Sequence, residues 1–254
     1  MAPGAGAVTP EVEARLREAF PDHAPVELDP HVDVAEQVGD AARVVVAGGD
    51  GTIGLVLRAL AGGDRRVGLL PLGTFNNFAT ALGIEGDLER AIEVVKTGRP
   101  RPITLGRVDG RPFLELAAVG AFGELIALGE AAKELAFGEL ARVLGELRDL
   151  RQFRYRLDGD VRRSGRALSL VAANTPTTGA RLPVGDKTPD QPYLELAFSA
   201  AARLFRRAPR NAPFRTLTVR TDPPVPVYAD NAEVGLTPVV IEAWPGAVTV
   251  IEPA

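Results

Sequence analysis

The sequence predicts an α/β protein in two parts. An N-terminal parallel-sheet α/β part spans about residues 1–100, and a β-rich antiparallel, sandwich-like part with a helical insertion spans 101–254. Three observations predict this. Strand-like and helix-like stretches alternate up to about residue 98, as in parallel sheets joined by helical crossovers. After "GRPRP" the texture changes to short runs separated by turn residues, as in antiparallel hairpins. The apolar runs that read as strands in the first part, 43–47 and 67–70, each lead into a loop containing glycine.

The elements of the first part follow from their residues. "TPEVEARLREAF" opens a helix with Thr9 as N-cap and Pro10 at the first helical position. Val12, Leu16, Ala19 and Phe20 then share one face. "PVELD" (25–29) reads as a short strand and "VDVAEQVG" as a short helix. "ARVVVA" is a buried strand, followed by the helix "TIGLVLRAL" with Ile53, Val56, Leu57 and Leu60 in register. "RVGLLPL" is another strand. "FNNFATAL" has Phe75, Phe78, Ala79 and Leu82 at helical spacing. "DLERAIEVVKTG" is a helix capped by Asp87 and stopped at Gly98.

In the second part, "ITLGRVDGRPFLEL" is a hairpin around Asp109-Gly110, a residue pair favoured in tight turns. "FRYRLDGDVRRSGRALSLVAAN" is a second hairpin pattern. "YLELAF", "TLTVR", "VPVYA", "VVIEAW" and "VTVIEP" read as further strands. Between the hairpins lies one helical stretch, 124–153, whose leucines read as core or lid.

Composition narrows the chemistry. The chain has 254 residues, no cysteine and two histidines, His23 and His31. Disulfides, thiolate nucleophiles and cysteine-ligated zinc are therefore excluded, and two histidines alone do not make a His-rich metal site. A net charge of -4 provides no global field for nucleic acid, so no nucleic-acid partner is expected. "MAPGAGAVTP" has neither the basic start nor the apolar segment of a signal peptide, and no run reads as a membrane span. The expected location is the cytoplasm.

Val44–Val46 lead into Gly48-Gly49-Asp50-Gly51-Thr52 at a strand-to-helix turn. Such a turn presents backbone N–H groups at the carboxyl edge of a sheet, and the missing Cβ atoms let a bulky anion approach. Asp50 would repel a bare phosphate. It suits an anion met through Mg²⁺, or a proton taken from an attacking hydroxyl. Phosphoryl transfer needs both functions. The chain has neither the Walker A pattern nor the protein-kinase catalytic-loop pattern. A second loop, Leu72-Gly73-Thr74, also follows a strand and precedes a helix that Thr74 can cap, with Asn76 and Asn77 near its start. Two loops after parallel strands face one crevice, where α/β ligands bind.

"VVVAGGDGTIGLVLRAL" followed by "GLLPLGTFNNFATALGI" resembles the catalytic domain of the diacylglycerol kinase and sphingosine kinase superfamily, most closely its bacterial soluble lipid kinases. NAD kinases share GGDGT, but the pattern L-G-T-x-N-x-F-A, present as Leu72 to Ala79, distinguishes the lipid kinases. The likeness continues through "GRVDGRPFLELAAVGAFGELI", "SLVAANTPTTGARLPVGDKTPDQPYLEL" and "VPVYADNAEVGLTPVVIEAWPGAVTVIEP". It implies a two-domain kinase using ATP and Mg²⁺, with nucleotide and lipid meeting between the domains.

On this resemblance Gly48, Gly49, Gly51 and Thr52 bind the ATP phosphates, and Gly73, Thr74 and Asn76 complete the pocket. Asp50 or Asp230 is the base, with Glu233 assisting it or the metal. Asp50, Asp186 and Asp190 are metal candidates, the latter two for an ion that supports structure. Three departures stand out. Only residues 2–6 stand where the family has a first strand and an Asn-bearing loop. Asn77 replaces a frequent Asp. The family's Asp-Gly-Glu appears as Asp230-Asn231-Ala232-Glu233. Arg203, Arg206, Arg207, Arg210 and Arg215, interleaved with Phe205 and Phe214, suit either a solvated face or an anionic membrane surface.

The leading expectation is an ATP-dependent lipid kinase acting on diacylglycerol or a related lipid, peripheral at the inner membrane surface, with a homodimer as one permitted assembly. The alternatives are a kinase for another hydroxyl, such as that of NAD, and a non-catalytic lipid- or nucleotide-binding relative.

Overall fold

The structure, a computed structural model, describes residues 8–85, 87–122, 152–179, 181–199 and 212–254. The chain divides into two compact units. The first comprises Met1–Thr104, Thr188–Gln191 and Pro245–Ala254, and the second Leu105–Lys187 and Pro192–Trp244.

In the first unit, helix α1 (Pro10–Ala19) is capped by Thr9, whose hydroxyl accepts from Val12 N at 3.4 Å. Helix α2 (Val34–Val38) is capped by Asp33. Residues 25–29, expected as a strand, form no ladder. Their end is instead tied to α2: Asp29 N donates to Gln37 Oε1 and Gln37 Nε2 donates to Asp29 O, both at 2.8 Å. A side-chain amide thus satisfies backbone groups that a neighbouring strand would otherwise pair.

Strand β1 (Arg43–Gly48) leads into helix α3 (Asp50–Ala59), which starts two residues earlier than its apolar pattern. Strand β2 (Arg66–Pro71) precedes helices α4 (Asn77–Ala81) and α5 (Leu88–Thr97). β1 and β2 pair in parallel from Arg43↔Arg66 to Gly48↔Pro71. α3 buries Ile53, Val56 and Leu57, and α5 buries Ala91, Ile92, Val94 and Val95. These are the apolar faces at 3.6-residue spacing.

The second unit is antiparallel. Strands β3 (Arg99–Val108) and β4 (Arg111–Phe113) form the expected hairpin, with Asp109 at φ 46 and Gly110 at φ 82. Two positive φ values are what a two-residue turn of this hand needs. Then come β5 (Leu116–Gly120), β6 (Phe153–Gly159), β7 (Arg163–Ala167), β8 (Ser169–Ala173), β9 (Thr177–Thr178), β10 (Leu182–Pro183), β11 (Leu194–Ser199), β12 (Ala212–Phe214), β13 (Thr216–Asp222), β14 (Pro226–Ala229), β15 (Ala232–Leu236) and β16 (Val239–Glu252). One sheet runs β12-β11-β8-β5-β14-β15. The first half of β16 pairs with β13, which pairs with β6, and β6 pairs with β7. Alternate residues of both layers, among them Phe113, Val119, Tyr155, Leu170, Leu194, Leu217, Val227 and Ile241, share one buried core. This is the expected sandwich.

The two strand candidates at 239–244 and 248–253 are one strand of 14 residues. Pro245 and Gly246 at its middle are exposed, a position where a missing N–H leaves no buried acceptor unpaired. The strand's end belongs to the first unit and adds a third parallel neighbour, Thr249↔Arg66 and Val250↔Val67. The first segment of the first unit ends at Thr104. The helical stretch at 124–153 lies almost wholly outside the described residues, as do Arg203, Phe205, Arg206, Arg207 and Arg210.

Glu252 ends β16 with its carboxylate buried. Oε2 accepts from Arg101 Nη1 at 3.1 Å, while buried Oε1 has no partner. Burial raises its pKa, Arg101 opposes the rise, and the charge of Asp190 adds to it. A carboxyl raised in the folded state binds its proton more tightly there, so stability falls as pH rises from the unfolded carboxylate range through the folded pKa. Glu252→Gln should therefore raise Tm at neutral pH, with the gain shrinking as pH falls toward 4.5. Thermal melts of both proteins across that range measure it; a pH-independent difference would show that the charge is not the cause.

Candidate functional site

The in-register ends of β1 and β2 place both glycine loops at one sheet edge. Leu72 N donates to Gly48 O at 2.9 Å, locking the loop starts together. Beyond this bond the backbones touch. A Cβ on Gly73 would lie 2.6 Å from Gly49 Cα, and one on Gly49 would lie 3.1 Å from Gly73 Cα. Neither position accommodates a side chain without separating the loops. Gly51 differs: a Cβ there meets nothing within 4 Å. Among the described residues, the space over this glycine of the first turn of α3 is open.

Asp50, Gly51 and Thr52 form that first turn. The first bond to close it is Ile53 N to Gly49 O at 3.0 Å, so the preceding N–H groups have no acceptor inside the helix. They stand at the positive end of a ten-residue helix, where backbone donors and the helix dipole both favour an anion. The Asp50 carboxylate is partly exposed, and its Oδ1 accepts from Phe78 N at 3.4 Å. This contact ties the start of α3 to the first turn of α4.

Asn76 has a different place from the expected one. It sits at φ 51, a left-handed conformation that Asn tolerates better than most residues. Its Oδ1 accepts from Gly73 N at 2.9 Å, and its Nδ2 donates to Gly73 O at 2.8 Å and to Pro71 O at 3.4 Å. Both ends of the side-chain amide are engaged in holding Gly73. Thr74, expected as the helix cap, is exposed in the turn, and α4 has Asn76 at its N-cap instead. Asn77 is buried at 2% exposure.

The remaining acids are spread over both units. Asp50 and Asp190 are in the first, while Asp186, Asp230 and Glu233 are in the second. Asp230 sits in the turn between β14 and β15 at φ 51. Its carboxylate accepts from Leu114 N at 3.0 Å, Glu115 N at 2.8 Å and Leu116 N at 3.4 Å. Glu233 is exposed on β15. Asp186 is exposed, and its N–H donates to Glu195 Oε2 at 2.8 Å. Asp190 accepts the Thr188 hydroxyl and faces Arg101 Nη1 at 3.6 Å. Among the described residues no three Asp, Glu or His side chains gather into a metal cage.

Several polar residues that the sequence did not single out hold the segment that Asp230 grips. Lys187 is 1% exposed, and its ammonium donates to the side-chain oxygen of Asn174 and, at 3.3 Å, to its carbonyl. Asn174 Nδ2 donates to Leu114 O, and Asn174 N to Glu115 O, each at 2.7 Å. The Thr178 hydroxyl donates to Glu115 Oε2 at 2.7 Å. An Asn ending the apolar run "SLVAA" was the one available signal; a buried lysine beside Asp186 left none.

A family model for the diacylglycerol kinase catalytic domain matches residues 5–108. The chain is 39% identical over 125 residues to "Probable lipid kinase YegS-like" of Klebsiella pneumoniae (strain 342), covering 44% of this chain and 42% of that one. It is 44% identical over 84 residues to the diacylglycerol kinase of Bacillus subtilis (strain 168), covering 32% and 28%. In these alignments the chain spans less than half the length of each curated relative. A diacylglycerol kinase crystal structure from Bacillus anthracis str. Sterne superposes with a TM-score of 0.73 at 18% identity, covering 98% of this chain and 94% of that one. An NAD kinase from Archaeoglobus fulgidus in complex with ATP gives 0.58 at 16% identity, covering 96% and 90%. The structural likenesses are likenesses of fold.

The glycines separate in their expected effects. Gly51→Ala should fold normally and gain about 0.5–1 kcal/mol from helix propensity, yet weaken nucleotide binding about tenfold or more, because its methyl enters the open space. Gly73→Ala should lose about 1–3 kcal/mol of stability by forcing the loops apart. Thermal melts and calorimetric titration with ATP distinguish the two. Unchanged ATP affinity in Gly51→Ala would place the anion elsewhere.

Proposed function

We propose that this protein is an ATP-dependent lipid kinase, a reading supported by the match of residues 5–108 to the family model for the diacylglycerol kinase catalytic domain. It transfers the γ-phosphoryl group to a hydroxyl of diacylglycerol or a related lipid. The observation that carries this reading is the backbone contact of Gly49 with Gly73 beside the open first turn of α3. A triphosphate needs backbone donors, room for its oxygens and an acid at its reacting end, and these two loops supply all three.

In this reading the N–H groups of Gly51 and Thr52 bind phosphate oxygens. Gly49 and Gly73 keep the loops close enough to share one anion, and Asn76 acts through Gly73, whose N–H and C=O it holds. Asp50 is the carboxylate within the two loops, and we assign it the orientation of the acceptor hydroxyl and receipt of its proton. The hydroxyl oxygen bonds to the γ-phosphorus, the bond from that phosphorus to the bridging oxygen breaks, and ADP leaves with the electron pair. One carboxylate with phosphate oxygens is a common donor set for Mg²⁺, so Asp50 fits that ion, which supplies charge neutralisation on the phosphates when bound. Asp230 serves as an anchor of the 114–116 backbone, since its carboxylate already accepts those three N–H groups.

Among the described residues no helix is long and apolar enough to cross a membrane. Because the proposed substrate is a membrane lipid, this reading has the protein meet it at the inner membrane surface. Phosphate transfer from γ-labelled ATP with Mg²⁺ to dispersed diacylglycerol, with NAD in parallel, tests the reading. Labelled phosphatidic acid is the expected product. Labelled NADP would move the assignment to an NAD kinase. ATP binding without transfer to any lipid tested would reduce the protein to a binding relative. Asp50→Asn should lower kcat about 100-fold or more while ATP affinity changes only a few-fold; near-normal turnover would remove Asp50 from the chemistry.

A further inference from the structure

We propose that Arg101 occupies the place a divalent cation would take at Asp190, so the chain's own charge fastens the segment Thr188–Gln191 to the first unit. This segment is a short excursion. The chain leaves the second unit after Lys187, spends four residues in the first, and returns at Pro192. Something must hold so brief a visit in place.

The holding contacts converge on β3. Arg101 Nη1 lies 3.6 Å from Asp190 Oδ2 and 3.1 Å from Glu252 Oε2. One guanidinium therefore stands between an acid of the excursion and an acid at the end of β16. Three residues on, Thr104 N donates to Pro189 O at 2.7 Å. Within the segment, Gln191 N donates to Thr188 O at 3.1 Å, and Thr188 N donates to Gln191 Oε1 at 3.2 Å. The Thr188 hydroxyl occupies the other Asp190 oxygen.

These contacts leave a metal poorly served. Mg²⁺ and Ca²⁺ require six or more oxygen donors. Thr188 O, Pro189 O, Gln191 Oε1 and Asp190 Oδ1 already accept from protein groups, and Asp190 Oδ2 is paired with the Arg101 charge. A second cation beside Arg101 would also meet its charge at close range, a repulsion that water at the half-exposed guanidinium reduces but does not remove. Asp186, the other acid tied to such an ion by the family resemblance, is exposed and belongs to the second unit. The two acids facing Arg101 carry one more negative charge than it neutralises, and buried Glu252 Oε1 has no partner. That excess makes the pair a cation place as soon as the guanidinium is removed. The inference concerns this clamp alone and is independent of Mg²⁺ accompanying the nucleotide.

The test is thermal unfolding of the full chain without nucleotide, in EDTA and in excess Mg²⁺ or Ca²⁺. The wild-type protein should melt at the same temperature in all three. Arg101→Ala should melt several degrees lower in EDTA and regain stability with the divalent ion, and the regain should vanish in Arg101→Ala/Asp190→Asn. Arg101→Lys should stay metal-independent and retain most of the stability. The proposal is overturned if the wild-type protein melts lower in EDTA and Asp190→Asn abolishes that difference. It is also overturned if Arg101→Ala melts like the wild type, or melts lower without any regain from the ion. Should Arg101→Ala not fold, the wild type and Arg101→Lys decide: metal dependence in Arg101→Lys, lost with Asp190→Asn, overturns it.

Discussion

The parallel pairing of β1 with β2 is the constraint on which the site depends. With Gly48 level with Pro71, both strands release their chains at the same height and the loops have to meet. They meet through backbone at Gly49 and Gly73, where a single Cβ would not fit. Val46 and Ala47 on one strand and Leu69 and Leu70 on the other are buried, and their pairing sets where the two glycine loops meet. The helix dipole of α3 and the clip of Asn76 act on a geometry that the sheet has already set.

The second unit solves a different problem. Its backbone bends between β4 and β5, where Leu114 and Glu115 lie outside the strand ladders and Leu116 begins β5. Asp230 takes their three N–H groups, and Asn174 takes one carbonyl with its side chain and another with its backbone N–H. Lys187 then holds Asn174 from below 2% exposure. Buried polar groups are costly when half-satisfied and rigid when complete. This network converts an irregular stretch into a fixed one. The acid that the family resemblance offers as a base is thereby also tied to the backbone of its own unit.

Much of the fold was legible because burial imposes periodicity. The helices α1, α3 and α5 and most strands appear where the apolar spacing places them, and the Asp109-Gly110 turn is encoded by residues that accept positive φ. Elements were lost where pairing, not pattern, decides. Residues 25–29 have strand composition but are tied to Gln37. The apolar runs 239–244 and 248–253 are joined because Pro245 and Gly246 lie exposed, where a break in pairing costs little. Thr74 has the chemistry of a cap, yet the left-handed Asn76 lies between it and the helix.

The sequence by itself determined the glycine loops, their place after buried parallel strands, and Asp50 as the acid within them. Those features depend on neighbours a few residues away, where composition and spacing specify conformation. The tertiary structure decided what each polar side chain touches. Gly51 faces open space while Gly73 faces a glycine; Asn76 grips the loop; Asp230 grips backbone 116 residues from its own position; Arg101 stands between Asp190 and Glu252. Apart from Asn76, which holds Gly73 three residues away, each depends on how residues far apart in the chain come together. An Asp or Arg carries no mark in sequence of whether its partner will be water, a backbone N–H or another charge.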